Sequence, residues 1–211
     1  HYGAMVVSAN DFSWHTLYFM VTEKYHMSGM LDHLKKKIFQ SGAITVADYM
    51  FECLANPKYG YYINNEPFGA TGDFITAPEI SQAFGEIIGL WVVHQWHAMG
   101  KPKSFNLIEL GPGRGTLMSD ALRTAGGLPE FITGLNIHLV ETSHRLCNLQ
   151  KQALAQFKPT WHNDISSLPD GPIIVIANEF FDALPIHQFE YTAHGWLERG
   201  VAFMDGQFSF T

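Results

Sequence analysis

The 211 residues are 46% hydrophobic and 16% charged, a globular composition large enough for one domain with a sizeable core and too apolar for a disordered chain. A net charge of −7 argues against a general nucleic-acid binder, whose surface would be basic. No apolar run approaches the roughly 18 residues of a membrane-spanning helix, and Cys53 and Cys147 are too far apart for a metal-type spacing or a disulfide framework, so both read as buried thiols in a reducing compartment.

Residues 1–29 show no helical or strand period, no secretory signal and no transit-peptide pattern, and read as an extension without an assigned role. The absence of a transit pattern favours a bacterial cytoplasm over a mitochondrial matrix. Residues 30–104 read as a helical region. Leu31, Leu34, Ile38 and Phe39 predict a helix over 30–40, with the lysines of LDHLKKKIF on a solvated face. Thr45 and Asp48 form a capping-box start for a helix carrying Val46, Met50, Cys53 and Leu54, which Asn56-Pro57 ends. YGYY and the Gly/Asn-rich stretch to Gly72 read as a loop.

GDFITAPEISQAFGEIIGLWVVHQWHAMG reads as one long helix, with Thr76 or Ala77 at its cap, Pro78 in the first turn and Glu79 at the positive end. Ile80, Ala83, Phe84, Ile87, Ile88, Trp91 and Val92 form its apolar stripe. Gly85 and Gly89 leave a flat strip suited to close helix packing. His94 and His97 have no completing ligand nearby and read as a solvated or packed pair.

Residues 105–185 alternate strands with helices. FNLIEL, NIHLVE, TWHND and PIIVIANE are strands, the last apolar on both faces as in the middle of a parallel sheet. TLMSDALR is a helix ended by Gly126-Gly127, and a second helix carries Leu146, Leu149, Ala153 and Phe157 on one face before Pro159. This order implies right-handed crossovers and a doubly wound, Rossmann-like α/β sheet. Residues 186–211 carry two turn signals, Ala-His-Gly and Asp-Gly, between alternating stretches, and read as a small antiparallel meander.

The stretch from Asn106 to Arg123 joins the first of these strands to its helix through three glycines. No lysine follows Gly115, which excludes a triphosphate loop. Thr116 stands where the dinucleotide fingerprint wants its third glycine. Glu109, Gly111, Gly113 and Gly115 instead give the E-x-G-x-G-x-G order usual in class I S-adenosylmethionine methyltransferases. That cofactor has no phosphate for a helix N-terminus. It carries an ammonium and a sulfonium, which suit a carboxylate such as Glu109 beside backbone that glycine leaves open.

Glu141 ends the second strand, where an acid can accept from both ribose hydroxyls or cap the next helix. Asp164 and Ile165 follow the third strand, as an adenine contact or a simple turn. Asn178, Glu179 and Asp182 end the fourth strand among aromatics, either gripping a polar nucleophile such as a guanidinium or serving as caps and structural acids.

LIELGPGRGTLMSDALR, GDFITAPEISQAFGEIIGLW and ANEFFDALPIHQF together resemble the MidA-like family of class I methyltransferases, in that family's order and from about Met30 to Phe210. The family includes bacterial proteins and the mitochondrial arginine methyltransferase of respiratory complex I assembly. The resemblance implies an S-adenosylmethionine-dependent enzyme that methylates an arginine of a protein substrate, a complex I subunit in the family. It implies that Glu109, Gly111, Gly113 and Gly115 hold the methionine part and Glu141 the ribose. Thr76, Pro78 and Glu79 would lie against the cofactor, and Glu198-Arg199 in the meander also resembles the family. Family members are nearly twice as long, and a full class I sheet has seven strands, so the sheet is expected to be incomplete on its C-terminal side. The competing expectation is a methyltransferase-like assembly or binding module without catalysis. A homo-oligomer is compatible with either, and no metal is expected.

Overall fold

A computed structural model describes residues 27–64 and 76–211, which fall into two units: 27–64 with 183–211, and 76–182. The segment read as one helical region, 30–104, is therefore divided between the units. Residues 1–26, and the part of GDFITAPEIS before Thr76, lie outside the described residues.

The first unit begins with α1 (Met27–Ser41), β1 (Ile44–Thr45), α2 (Val46–Ala55) and α3 (Tyr61–Asn64). The α1 stripe is Met30, Leu34 and Ile38, at steps of four; Phe39, expected inside, is 92% exposed. Lys37 departs from the solvated face expected of it. Its ammonium lies 2.7 Å from Glu52, which is buried and also bonded by His33 and Asn56. Thr45 caps α2 as expected: its hydroxyl accepts from the Asp48 N–H at 3.0 Å and donates to the Asp48 carboxylate at 2.9 Å. Tyr61–Asn64 forms a turn of helix within the stretch read as loop.

The second unit runs α4 (Ala77–Ile80), α5 (Gln82–Ala98), β2 (Phe105–Leu110), α6 (Thr116–Ala125), α7 (Pro129–Gly134), β3 (Leu135–Val140), α8 (His144–Ala153), β4 (Thr160–His162) and β5 (Ile173–Ile176). The strands form one parallel sheet in the order β4-β3-β2-β5. All six residues of β2 are buried, as its central place requires. Phe105, Leu107, Ile137, Leu139, Ile174 and Ile176 face a core closed by Val92 and Trp96 of α5, Leu117, Met118 and Leu122 of α6, and Phe131 of α7. The short helix α7, which supplies Phe131, was not legible in the sequence.

Three expectations in this unit need correction. The long helix breaks at Ser81, where φ −146 and ψ 120 leave the helical region, so α4 and α5 are separate. The buried face of α5 is Gly85, Gly89, Val92 and Trp96, while Ile80, Ile87 and Trp91 of the expected stripe are exposed. Close backbone approach decides this: a Cβ on Gly89 would lie 2.4 Å from the Ala121 carbonyl oxygen of α6. Finally, β5 lies at the edge of the sheet among the described residues, with Ile173 and Val175 exposed, rather than covered on both faces.

The remainder of the first unit comprises β6 (Phe189–Thr192), β7 (Gly195–Glu198), β8 (Gly200–Met204) and β9 (Gln207–Phe210). Both turn signals hold, but they do not make one meander. β6 and β7 pair only with each other, and β8 pairs with β9 and with β1. Asp205 and Gly206, with φ 52 and 85, form the tight β8–β9 turn. Val201 of β8 completes the core built from Met30, Leu34, Val46, Met50 and Cys53. Burial pushes the Cys53 thiol up to about 12, whereas Cys147 is only half-buried, against expectation.

Candidate functional site

The chain leaves β2, runs outward to β3 and β4, and returns to the other side of β2 as β5. The loops after β2 and β5 therefore part at a topological switch point, where open α/β sheets bind ligands beyond the carboxyl ends of their strands. GPGRG and NEFFD are those two loops.

Gly111, Gly113 and Gly115 all have left-handed backbone, with φ 62, 54 and 83. A side chain at any of the three would be strained. Gly111 is constrained twice, since a Cβ there would lie 2.6 Å from the Phe180 ring. Phe180 thus sets the β5 loop directly against the glycine loop. Gly115 is the N-cap of α6, and its N–H closes the turn on the Pro112 carbonyl at 2.8 Å.

Glu109, near the end of β2, is 3% exposed, and its Oε2 has no hydrogen-bond partner. Burial alone pushes its carboxyl up to about 8. An acid in this state is poised to meet a cation. A cation beside it would draw the group to its ionised form, whereas a phosphate would hold it protonated.

Glu141 lies beside the loop, half-buried, at the end of β3. Its Oε1 accepts from the Ser143 N–H at 2.8 Å and its Oε2 from Gln150 at 3.2 Å. Burial raises its carboxyl, and these bonds pull it back. Helix capping belongs to Ser143, whose hydroxyl accepts from the Leu146 N–H. The carboxylate oxygens keep lone pairs for further donors.

Thr76 is the N-cap residue of α4 but makes no side-chain cap bond, and Pro78 behind it is buried. Glu79 is joined to the first residue of α6, Thr116, at 2.6 Å. Asp164 caps the short turn Ile165–Ser167 through the Ser166 N–H and hydroxyl, which hold its carboxyl below the usual range. Ile165 is 68% exposed.

Beyond β5, Glu179 adopts φ 48, a left-handed conformation uncommon for a side-chain-bearing residue and shared with Lys101, Lys158 and Asp205. Partial burial, and then the charge of Asp182, raise its carboxyl. Asp182 is exposed in the turn Phe181–Ala183, and Asn178 is partly buried beside Glu179. The structure thus gathers the glycine loop, Glu109 and Glu141 around the carboxyl end of β2 and β3, and Asn178 and Glu179 at that of β5. Asp164 is engaged in its own turn.

Two features escaped the sequence reading. One is the Glu79–Thr116 bond. The other is Gln150, fully buried on α8 and bonded to Gly113, Glu141 and Trp161. The buried face of α8 is Leu146, Gln150 and the following Leu154, not Leu149 and Ala153, and Ala153 is exposed. A glutamine at the middle step of this i, i+4, i+8 series was the available signal.

The family model described as "Putative S-adenosyl-L-methionine-dependent methyltransferase" matches residues 87–211. The protein arginine methyltransferase NDUFAF7, mitochondrial, of Rattus norvegicus is 42% identical over 200 residues, which cover 83% of this chain and 46% of the relative. That of Homo sapiens is 39% identical, covering 92% and 50%. The chain spans about half the length of the curated relatives it matches. A solved COG1565 superfamily member from Burkholderia thailandensis, bound to S-adenosyl-homocysteine, matches with TM-score 0.71 at 28% identity over 87% of this chain and 49% of that one.

Proposed function

The chain belongs to the S-adenosyl-L-methionine-dependent methyltransferase family, and on that premise we propose that it binds S-adenosylmethionine at the β2–β5 switch point and serves methyl transfer to an arginine of a protein substrate. The observation that carries this reading is the buried, partnerless Oε2 of Glu109 beside three left-handed glycines. An ammonium would satisfy that oxygen as an ionised acceptor, and the chain carries neither the lysine of a triphosphate loop nor the third glycine of a dinucleotide loop. The reading is further supported by the arginine methyltransferases among its relatives.

When bound, S-adenosylmethionine supplies an electrophilic methyl carbon on a sulfonium. Each residue of this chain then has a physical task. Glu109 would pair with the ammonium, and pairing would drive its carboxyl to the ionised form. Gly111, Gly113 and Gly115 let the backbone approach the methionine part. Glu141 accepts from the ribose hydroxyls. Thr76 and Pro78 would lie against the cofactor, and Ile165 and Asp164 would meet the adenine. Glu179, with Asp182 and Asn178, would hold the arginine guanidinium beside the methyl donor and accept the proton that its nitrogen releases. A raised carboxyl at Glu179 suits that last step. The catalysis is positioning and charge control, with no covalent enzyme intermediate.

A subunit of a respiratory complex is the substrate class that the family resemblance favours. Mass spectrometry of cellular proteins for methylarginine, with and without the gene, tests the reading. Loss of a methylarginine on deletion supports it. An unchanged methylarginine inventory, with the cofactor still bound, favours the binding module without catalysis.

A further inference from the structure

On this reading of the crevice, we propose that Gln150 is a positioning residue that holds the glycine loop and Glu141 in one fixed relation for cofactor binding.

Its side chain is fully buried. The indole N–H of Trp161 can only donate, and it donates to Gln150 Oε1 at 2.8 Å. That bond fixes which end of the amide is which. The two amide hydrogens then face the Gly113 carbonyl at 2.8 Å and Glu141 Oε2 at 3.2 Å. Every polar atom of the amide is used. One side chain thus ties together two loops that follow different strands.

The consequences are directional. A planar trans peptide sets its C=O and the next N–H on opposite sides. Holding the Gly113 carbonyl toward α8 therefore turns the Arg114 N–H away from it. Glu141 is held at both oxygens, by Gln150 and by the Ser143 N–H, so its carboxylate cannot rotate. α8 lies close against the loop, with Gln150 Cα only 3.4 Å from where a Cβ on Gly115 would stand. Lys151 lies over the Trp161 ring at 5.5 Å, a second contact on the indole. The titratable neighbours are Glu141 and, on α8, Cys147 and Lys151.

Calorimetric titration of the intact protein with S-adenosylhomocysteine, between pH 6 and pH 8, tests this, with melting temperature and circular dichroism as folding controls. Gln150→Glu keeps the shape and the acceptor for Trp161. It replaces both donors with an acceptor facing a carbonyl and a carboxylate. Its affinity should fall about tenfold or more at pH 8 and recover partly toward pH 6, where a shared proton restores one donor. Trp161→Phe frees the amide to turn over and should lose about threefold at every pH. An affinity within twofold of wild type for folded Gln150→Glu at pH 8 overturns the positioning role, even if its melting temperature drops. If that variant does not fold, Trp161→Phe decides by the same twofold criterion. Absence of binding by the wild type would instead overturn the reading of the crevice.

Discussion

Thr116 donates its hydroxyl proton to Glu79 at 2.6 Å, joining the start of α6 to α4. The residue that breaks the dinucleotide fingerprint is thus the one that fastens the APEIS segment beside the glycine loop. Thr116→Val removes the donor and leaves Glu79 without this partner. It should destabilise the protein by about 1 kcal/mol, while Thr116→Ser should be nearly neutral. Urea denaturation midpoints compare the two.

Glu109 gives a pH signature. Its folded carboxyl is pushed up to about 8, above the ordinary value of 4.5. Below pH 4.5 the group is neutral whether folded or unfolded, and its full contribution is present. As pH rises from there through 8, the unfolded chain releases its proton first and stability is lost, by on the order of a few kcal/mol. Glu109→Gln should flatten this decline, measured by chemical denaturation between pH 5 and pH 8.5. A variant as steeply pH-dependent as the wild type would contradict the assignment.

Gly89 faces the Ala121 carbonyl of α6, where a Cβ would lie 2.4 Å away. Gly89→Ala should cost about 2 kcal/mol through overpacking, or force the two helices apart. Melting temperature reads this directly.

That position also shows what the sequence could and could not disclose. Hydrophobic periodicity placed Ile87 and Trp91 of α5 inside, because glycine carries no hydrophobic weight. The flat strip expected at Gly85 and Gly89 does pack closely on α6, and it, not the apolar stripe, decides which face turns inward. Thr45, the β8–β9 turn at Asp205-Gly206 and the GPGRG loop were legible because each answers a local requirement of capping or positive φ. Gln150 was not, because its partners Gly113, Glu141 and Trp161 come together only when β2, β3, β4 and α8 assemble. β5 read as a central strand from its apolar run, yet it is an edge among the described residues.

Glu179 separates chemistry from cofactor binding. Glu179→Gln keeps the shape and removes the proton acceptor. Methylation of the protein substrate should fall about a hundredfold, with S-adenosylhomocysteine affinity within about twofold of wild type. Parallel loss of both would make Glu179 a cofactor ligand or a structural residue.

The most direct test of the account is calorimetric titration of the intact protein and of Gly113→Val with S-adenosylhomocysteine. Gly113 has φ 54, so a β-branched side chain both strains the loop and blocks its approach to the ligand. The wild type should bind at one site, and the variant should show no measurable binding while retaining its fold. A wild type that gives no binding, or a folded Gly113→Val that binds as the wild type does, would contradict the assignment of this crevice to S-adenosylmethionine.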